Sequence, residues 1–392
     1  MVTMAAIVPA LARHRQRKAL ARSARRTLLP DPALNRLTEV YEFGSNLGAL
    51  RMFEYVPARP KSALVVVLHG SGQTAANYDL GAGWSTLADR YGFVLLLPQQ
   101  RALNNPIRAF NWFRPGDMAR GKGEALSIRQ MIETMIIEHR IDRRRVFIAG
   151  LSAGGAMACV MLATYPEVFA AGAVVAGLPF GTATNVKEAF ESMLDVRARP
   201  TREWGDLVRA ASPHRGPWPR ISVWHGDADP VVKRENADQI VKQWIDVHGL
   251  DHTPTLIQTV DGYPRQVWRN RAGDNVIESY TIADMAHGTP LATNKHGGVA
   301  GAFMLEVGIS SSYHIAKFWG LTKRPRRIAW ILARWRRGPR QGANDALAGA
   351  RGSVAASKFA RHSGANRPSR SPSFARAVLI RLLNRMRNSN TA

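Results

Sequence analysis

A serine that attacks an acyl carbon needs a base to take its proton, an acid to orient that base, and amide donors for the oxyanion that forms. Gly150-Leu151-Ser152-Ala153-Gly154 supplies a candidate for the serine. The motif follows the apolar run RVFIA and precedes GAMACVMLATY, so Ser152 falls between an expected strand and an expected helix. Small residues two positions to either side let those elements approach each other around a tight turn. The chain order serine, acid, histidine then points to Asp229 in WHGDADPVV, directly after the strand-like RISVW, with Asp227 as an alternative suited to capping the turn. His287 in IADMAHGTP stands in a loop after the last expected strand, between Ala286 and Gly288, which permit close approach. Its rivals fall elsewhere: His252 in a polar loop, His296 in a Gly-rich loop and His314 in an expected helix. Oxyanion donors are expected from the amide of Ala153, at a helix N-terminus, and from the turn His69-Gly70-Ser71-Gly72-Gln73 after ALVVVL. Within that turn the amide of Ser71 is favoured, Gly72 is the alternative, and His69 reads as a strand-end histidine bonded to backbone.

The elements that must position these residues form an alternating pattern. Apolar runs at Ala63–Leu68, Phe93–Leu97, Arg145–Ala149, Ala171–Ala176 and Arg220–Trp224 suit strands covered on both faces, and amphipathic stretches at Gly123–Arg140, Gly155–Tyr165 and Val232–His248 suit helices. Two β-like segments, Leu37–Phe43 and Leu50–Val56, precede them; Thr255–Val260, Arg265–Asn270 and Val276–Ile282 close the series before a helix near Ser311–Trp319. This predicts an α/β fold on a mostly parallel sheet with helices on both faces. A single cysteine, Cys159, excludes an internal disulfide framework and any cysteine-rich metal site.

Several ordered motifs carry a resemblance. LHGSGQTAANY (68–78), NWF (111–113) with RGKGEALSI (120–128), AGLSAGGAMACVMLATYPEVFAAGAVVAG (149–177) and HGDADPVV (225–232) resemble the polyhydroxybutyrate (PHB) depolymerase esterases of the α/β-hydrolase superfamily, over roughly residues 60–300. The resemblance implies Ser152 as nucleophile, Asp229 as orienting acid and His287 as base. It implies ester hydrolysis through an acyl-Ser152 intermediate, with no cofactor and no metal. The implied substrates are short-chain hydroxyalkanoate polyesters or oligomers and small aliphatic esters, or, as in some relatives, feruloyl and acetyl esters of plant polysaccharides. A non-catalytic, surface-bound protein of the same fold is the alternative from another class; the complete set of Ser, Asp and His favours the enzyme. Two departures stand out. Ser71 occupies a position where the family commonly has cysteine, and MAHGTPL replaces the more usual Gly-His-Ala-Trp-Pro type. Trp112 and Phe113, with Asn111, and Phe180, with Pro179, are expected to wall an acyl pocket.

The formal charge of +25 would turn attention to nucleic acid, but its distribution does not. Residues 1–30 hold seven basic side chains and no acid, and residues 321–392 hold seventeen with one acid, Asp345; residues 31–320 are nearly balanced, 30 basic against 28 acidic. The expected organisation is therefore a basic extension (1–30), an esterase domain (31–320) and a basic, partly disordered tail (321–392). Ile328–Arg337 and Phe374–Arg387 mix arginines with apolar residues at helical spacing, as helices lying on a membrane or granule surface do. A nucleic-acid partner is not expected, because no reading motif accompanies the charge. No run reaches the length of a membrane span. Met4–Leu11 precedes its basic residues instead of following them, and Pro30-Asp31-Pro32 follows Arg25-Arg26 where an apolar segment should begin. These features do not read as an export signal, which leaves a cytoplasmic location open although the resembled family is often extracellular.

Overall fold

The computed structural model describes residues 36–322. Apart from 321 and 322, the two basic extensions lie outside the described residues, including the segments 328–337 and 374–387.

Ten strands form one sheet: β1 (Thr38–Val40), β2 (Arg51–Tyr55), β3 (Leu64–Leu68), β4 (Val94–Gln99), β5 (Val146–Leu151), β6 (Ala171–Val175), β7 (Arg220–Gly226), β8 (Leu256–Val260), β9 (Tyr263–Arg269) and β10 (Asn275–Ile282). Their order is β1-β2-β4-β3-β5-β6-β7-β10-β9-β8. The six central strands from β4 to β10 pair in parallel, while β1 and β2 at one edge and β9 and β8 at the other are antiparallel. The expectation of a mostly parallel sheet holds.

Alternate side chains of the central strands point to opposite faces. Leu64, Val66, Leu68, Val146 and Ile148 pack into a core with the helices Gly123–Glu138, Ala153–Thr164 and Glu235–His248. Val65, Val67, Phe147, Ala149 and Leu151 pack on the other side with Ala75–Ala82, Trp84–Tyr91 and Ser311–Phe318. Burial on both faces explains why these strands read as continuous apolar runs. Among the described residues no helix is long and apolar enough to cross a membrane.

The sequence reading did not identify the short helices after β3 or the pair Val186–Leu194 and Thr201–Ala210 between β6 and β7. Their caps are local: the Thr74 hydroxyl accepts from Asn77 N at 3.2 Å, and Asn185 Oδ1 accepts from Glu188 N at 3.0 Å. It also did not identify the two-stranded parallel ladder of Thr289–Leu291 with Met304–Glu306, whose three-residue strands are too short for a period-2 pattern.

The end of β5 leaves no room for a side chain: a Cβ on Gly150 would lie 2.2 Å from Gly154 O. Gly150→Ala is expected to cost about 1–3 kcal/mol, the usual range for overpacking. Urea unfolding measures it; unchanged stability would mean that the turn relaxes freely.

Candidate active site

Ser152 joins β5 to the helix Ala153–Thr164 with φ 57° and ψ −119°. Positive φ in a residue with a side chain costs about 1–3 kcal/mol and persists only where the surroundings enforce it. Here the Ser152 amide donates to Val175 O at 2.8 Å, and the helix presses so closely on the end of β3 that a Cβ on Gly154 would stand 2.3 Å from Leu68 O. The same approach brings the turn after β3 beside Ser152.

Asp229 follows β7 and is 5% exposed. One carboxylate oxygen, Oδ1, accepts the amides of Val231 at 2.8 Å and Val232 at 3.0 Å. The other, Oδ2, lies 2.7 Å from Nδ1 of His287, which therefore donates to it. Burial opposes ionisation of this carboxyl, but the imidazoles of His287 and His225 outweigh it and hold Asp229 well below the usual carboxylate range. Asp227 is exposed and turned elsewhere: its Oδ1 accepts the Asp284 amide at 2.7 Å, the turn-capping role. The other histidines also lie apart. His314 pairs with Asp261 at 2.9 Å, His296 stacks on Tyr313 with centroids 3.7 Å apart, and His252 is exposed.

The sequence reading did not single out His225. It is 1% exposed, and its Nε2 lies 2.9 Å from Val232 O and 3.2 Å from Asp229 Oδ2. Nδ1 is buried without a partner, so the ring is an Nε2–H donor shared between the two oxygens. A strand-end histidine four residues ahead of the acid was the available signal.

In the turn after β3, Gly72 commits its amide to Ile107 O at 2.7 Å, whereas the amides of Ser71 and Ala153 donate to no group among the described residues. Ala153 also opens a helix, whose dipole favours negative charge at that point. His69 donates from Nδ1 to Gly70 O at 2.8 Å and accepts the Gln100 amide on Nε2 at 3.1 Å. Burial pushes its pKa down to about 4, so it is a neutral brace for the turn.

Ser71, Ser152, Ala153 and His287 share one pocket of about 840 Å³, part of it open to solvent. Trp112 and Phe113 line it, edge to face with centroids 5.4 Å apart. Phe180 does not: its backbone N–H and C=O both bond the Gln243 side chain at 3.0 Å, directing this stretch toward the helix Glu235–His248. Asn111 is likewise outside the lining, bonded to Glu124. The wall expected from Phe180 comes from Val186, Ala189, Phe190 and Met193 of the helix Val186–Leu194. Neither Ser152 Oγ nor His287 Nε2 is hydrogen-bonded among the described residues; in free enzymes this contact is often long and tightens with substrate. The arrangement suits proton transfer from a serine and stabilisation of an oxyanion. Potential metal ligands meet only at Glu54, Glu138 and His139 among the described residues, none of them in the pocket, and His139 is already bonded to Glu54 at 2.8 Å.

Residues 53–258 match the family described as Esterase PHB depolymerase. The chain belongs to this family. A poly(3-hydroxyalkanoate) depolymerase C from Paucimonas lemoignei is 46% identical over 291 residues, covering 73% of this chain and 70% of the relative. An acetylxylan esterase from Coprinopsis cinerea is 33% identical over 67% of this chain and 71% of its own length, and a feruloyl esterase B from Talaromyces stipitatus is 32% identical over 67% and 75%. Among solved structures, an acetyl xylan esterase from Aspergillus awamori superposes with a TM-score of 0.61 at 24% identity, covering 73% of this chain and 99% of that one. This last likeness shows the α/β-hydrolase type of fold. The PHB depolymerase-type chain is a serine carboxylic-ester hydrolase.

The double contact on Asp229 makes a prediction for this esterase. His225→Phe removes the Nε2–H donor and is expected to lower kcat for p-nitrophenyl butyrate about 10-fold with little change in KM, the equivalent of one lost hydrogen bond. His225→Gln, which can donate from a similar reach, should stay within about threefold of wild type. Equal loss in both variants would assign His225 to packing alone.

Proposed function

We propose that Ser152 is the nucleophile, His287 the general base and Asp229 the acid that orients it, with the amides of Ser71 and Ala153 as the oxyanion hole. The observation that carries this reading is the 2.7 Å Asp229–His287 bond opening into the pocket that also holds the strained Ser152. Ser152 Oγ attacks the ester carbonyl carbon while His287 Nε2 takes the hydroxyl proton. The carbonyl oxygen becomes the oxyanion, facing the two free amides. Collapse breaks the bond to the leaving alcohol, which receives the proton from His287, and leaves acyl-Ser152. Water then repeats the sequence, giving the free acid and restoring the serine.

The proposed substrates are esters of short-chain hydroxyalkanoates, polymeric or oligomeric. Two facts support this over feruloyl or acetyl groups on polysaccharides. The polar side chains lining the pocket are Ser71, Gln73, Ser152 and His287, together with the Trp112 indole; the remaining wall is apolar and offers a sugar or phenol few partners. Identity is also higher to the poly(3-hydroxyalkanoate) depolymerase than to the acetylxylan and feruloyl esterases, at 46% against 33% and 32%. In this proposal residues 31–320 are the catalytic unit, and the basic extensions, with 24 of the chain's 54 lysines and arginines, hold it at an anionic or apolar surface.

Ser152→Ala is expected to reduce p-nitrophenyl butyrate hydrolysis about 10⁴-fold or more without altering the thermal transition by more than a few degrees. Residual activity near wild type would overturn the assignment. In competition, a 3-hydroxybutyrate oligomer should suppress that hydrolysis at lower concentration than methyl ferulate, and the reverse order would favour the feruloyl reading. Removing residues 321–392 should abolish sedimentation with anionic liposomes or polyester granules while small-ester turnover persists.

A further inference from the structure

The esterase reaction makes no use of Glu124, yet it is 0% exposed and sits in the first turn of the helix Gly123–Glu138. Its carboxyl collects three N–H donors. Gln100 Nε2 and Asn111 Nδ2, the latter at 2.7 Å, meet on Oε1, and the Asn111 amide meets Oε2 at 2.8 Å. No lysine or arginine pairs with it among the described residues. A buried acid held only by amides is costly in a fold, so its position needs a reason.

The donors show what it holds. Gln100 and Asn111 bracket the loop that follows β4, and other amide side chains tie that loop to itself. Gln100 Nε2 also donates to Ala109 O at 3.0 Å, Asn104 Nδ2 to Gln100 Oε1 at 2.9 Å, and Asn105 Nδ2 to Asn111 Oδ1 at 3.0 Å. The same loop touches the turn after β3 twice. The Gln100 amide reaches His69 Nε2 at 3.1 Å, and Ile107 O receives the Gly72 amide at 2.7 Å, leaving the adjacent Ser71 amide as the free donor. Ile107, Ala109, Trp112 and Phe113 of this loop line the pocket.

The geometry points to Glu124 as a positioning residue that, through Gln100 and Asn111, sets the oxyanion turn at Ser71 and the aromatic wall of the pocket, and does so most firmly when ionised. The inference rests on the reading of Ser152 and the Ser71 amide given above. A carboxylate accepts all three N–H groups; adding a proton puts an O–H among donors and weakens the charge-assisted bonds. Burial, with the charge of Asp117, pushes Glu124 up to about 8, so the change falls within the range of an esterase assay. The charged and titratable groups around this network are few. Asp117, from the helix Pro115–Met118, accepts the Glu124 amide and has Arg114 beside it. Beyond Gln100 stand His69, neutral through burial, and Arg108.

The test compares kcat/KM of wild type and Glu124→Gln for p-nitrophenyl butyrate from pH 6.5 to 9. Taking the ratio removes the titration of the catalytic base, common to both. Ionisation of Glu124 should raise the ratio of wild type to variant about 5-fold across this window, the scale of one charge-assisted hydrogen bond. A ratio that stays constant, whether near one or large, overturns the inference, because a merely structural residue gives a loss independent of pH. If Glu124→Gln does not fold, Asn111→Ala removes one donor to the ionised form and should move the rise in kcat/KM to higher pH; an unmoved profile counts equally against the proposal. Ser152→Ala assayed in parallel separates the two readings. Activity surviving that substitution removes the active-site assignment itself, whereas its loss with a flat ratio removes only the role of Glu124.

Discussion

The close contact of three backbone segments around Ser152 is the constraint on which the rest of the site depends. A Cβ at Gly150 would collide with Gly154 O, and one at Gly154 with Leu68 O, so β5, the helix Ala153–Thr164 and the end of β3 meet nearly backbone to backbone. That contact forces Ser152 into positive φ. It also sets the Ala153 amide, at the start of the helix, beside the turn that carries Ser71. The proposed nucleophile and both proposed oxyanion donors are thus fixed by main-chain packing, which is far stiffer than side-chain rotamers.

The proposed acid and base reach the same place by a different device. Asp229 is set by the two amides it accepts from Val231 and Val232, so its free oxygen has one direction to face, and His287 and His225 both meet it there. Gly226 and Gly288 allow the two loops to close: a Cβ at the first would lie 2.1 Å from Met285 O, and at the second 2.7 Å from Phe303 O. Across the pocket, the polar network of Gln100, Asn104, Asn105, Asn111 and Glu124 fixes a long loop by side-chain amides where no regular ladder is available.

Much of this was legible in the sequence for physical reasons. Strands buried on both faces must be apolar throughout, so β3 to β7 announced themselves, and the elbow announced itself because only small residues fit around Ser152. Asp229 and His287 followed from position after strand ends. The wall of the pocket was harder. Phe180 is an aromatic that suits an apolar wall, but the contact belongs to Val186, Ala189, Phe190 and Met193, which fall at i, i+3, i+4 and i+7 on one helical face. That periodicity was present in the sequence, in a helix of nine residues whose neighbours gave no strong boundary. His225 and Glu124 left a fainter trace. Their roles come from tertiary contacts, a strand residue meeting the loop beyond it and a helix residue meeting a loop ahead of it, and neither makes a period. The even charge balance of residues 31–320 was informative in another way, since it moved the question of surface attachment from the fold to its extensions.

Covalent trapping of the intermediate tests the account most directly. The enzyme would be treated with a p-nitrophenyl alkylphosphonate and the labelled peptides sequenced by mass spectrometry, with p-nitrophenol release counted per chain. The account predicts one equivalent released and one phosphonyl group, on Ser152, with activity lost in proportion. Inactivation with the label on another residue, or full hydrolytic activity in a protein labelled at Ser152, would contradict it.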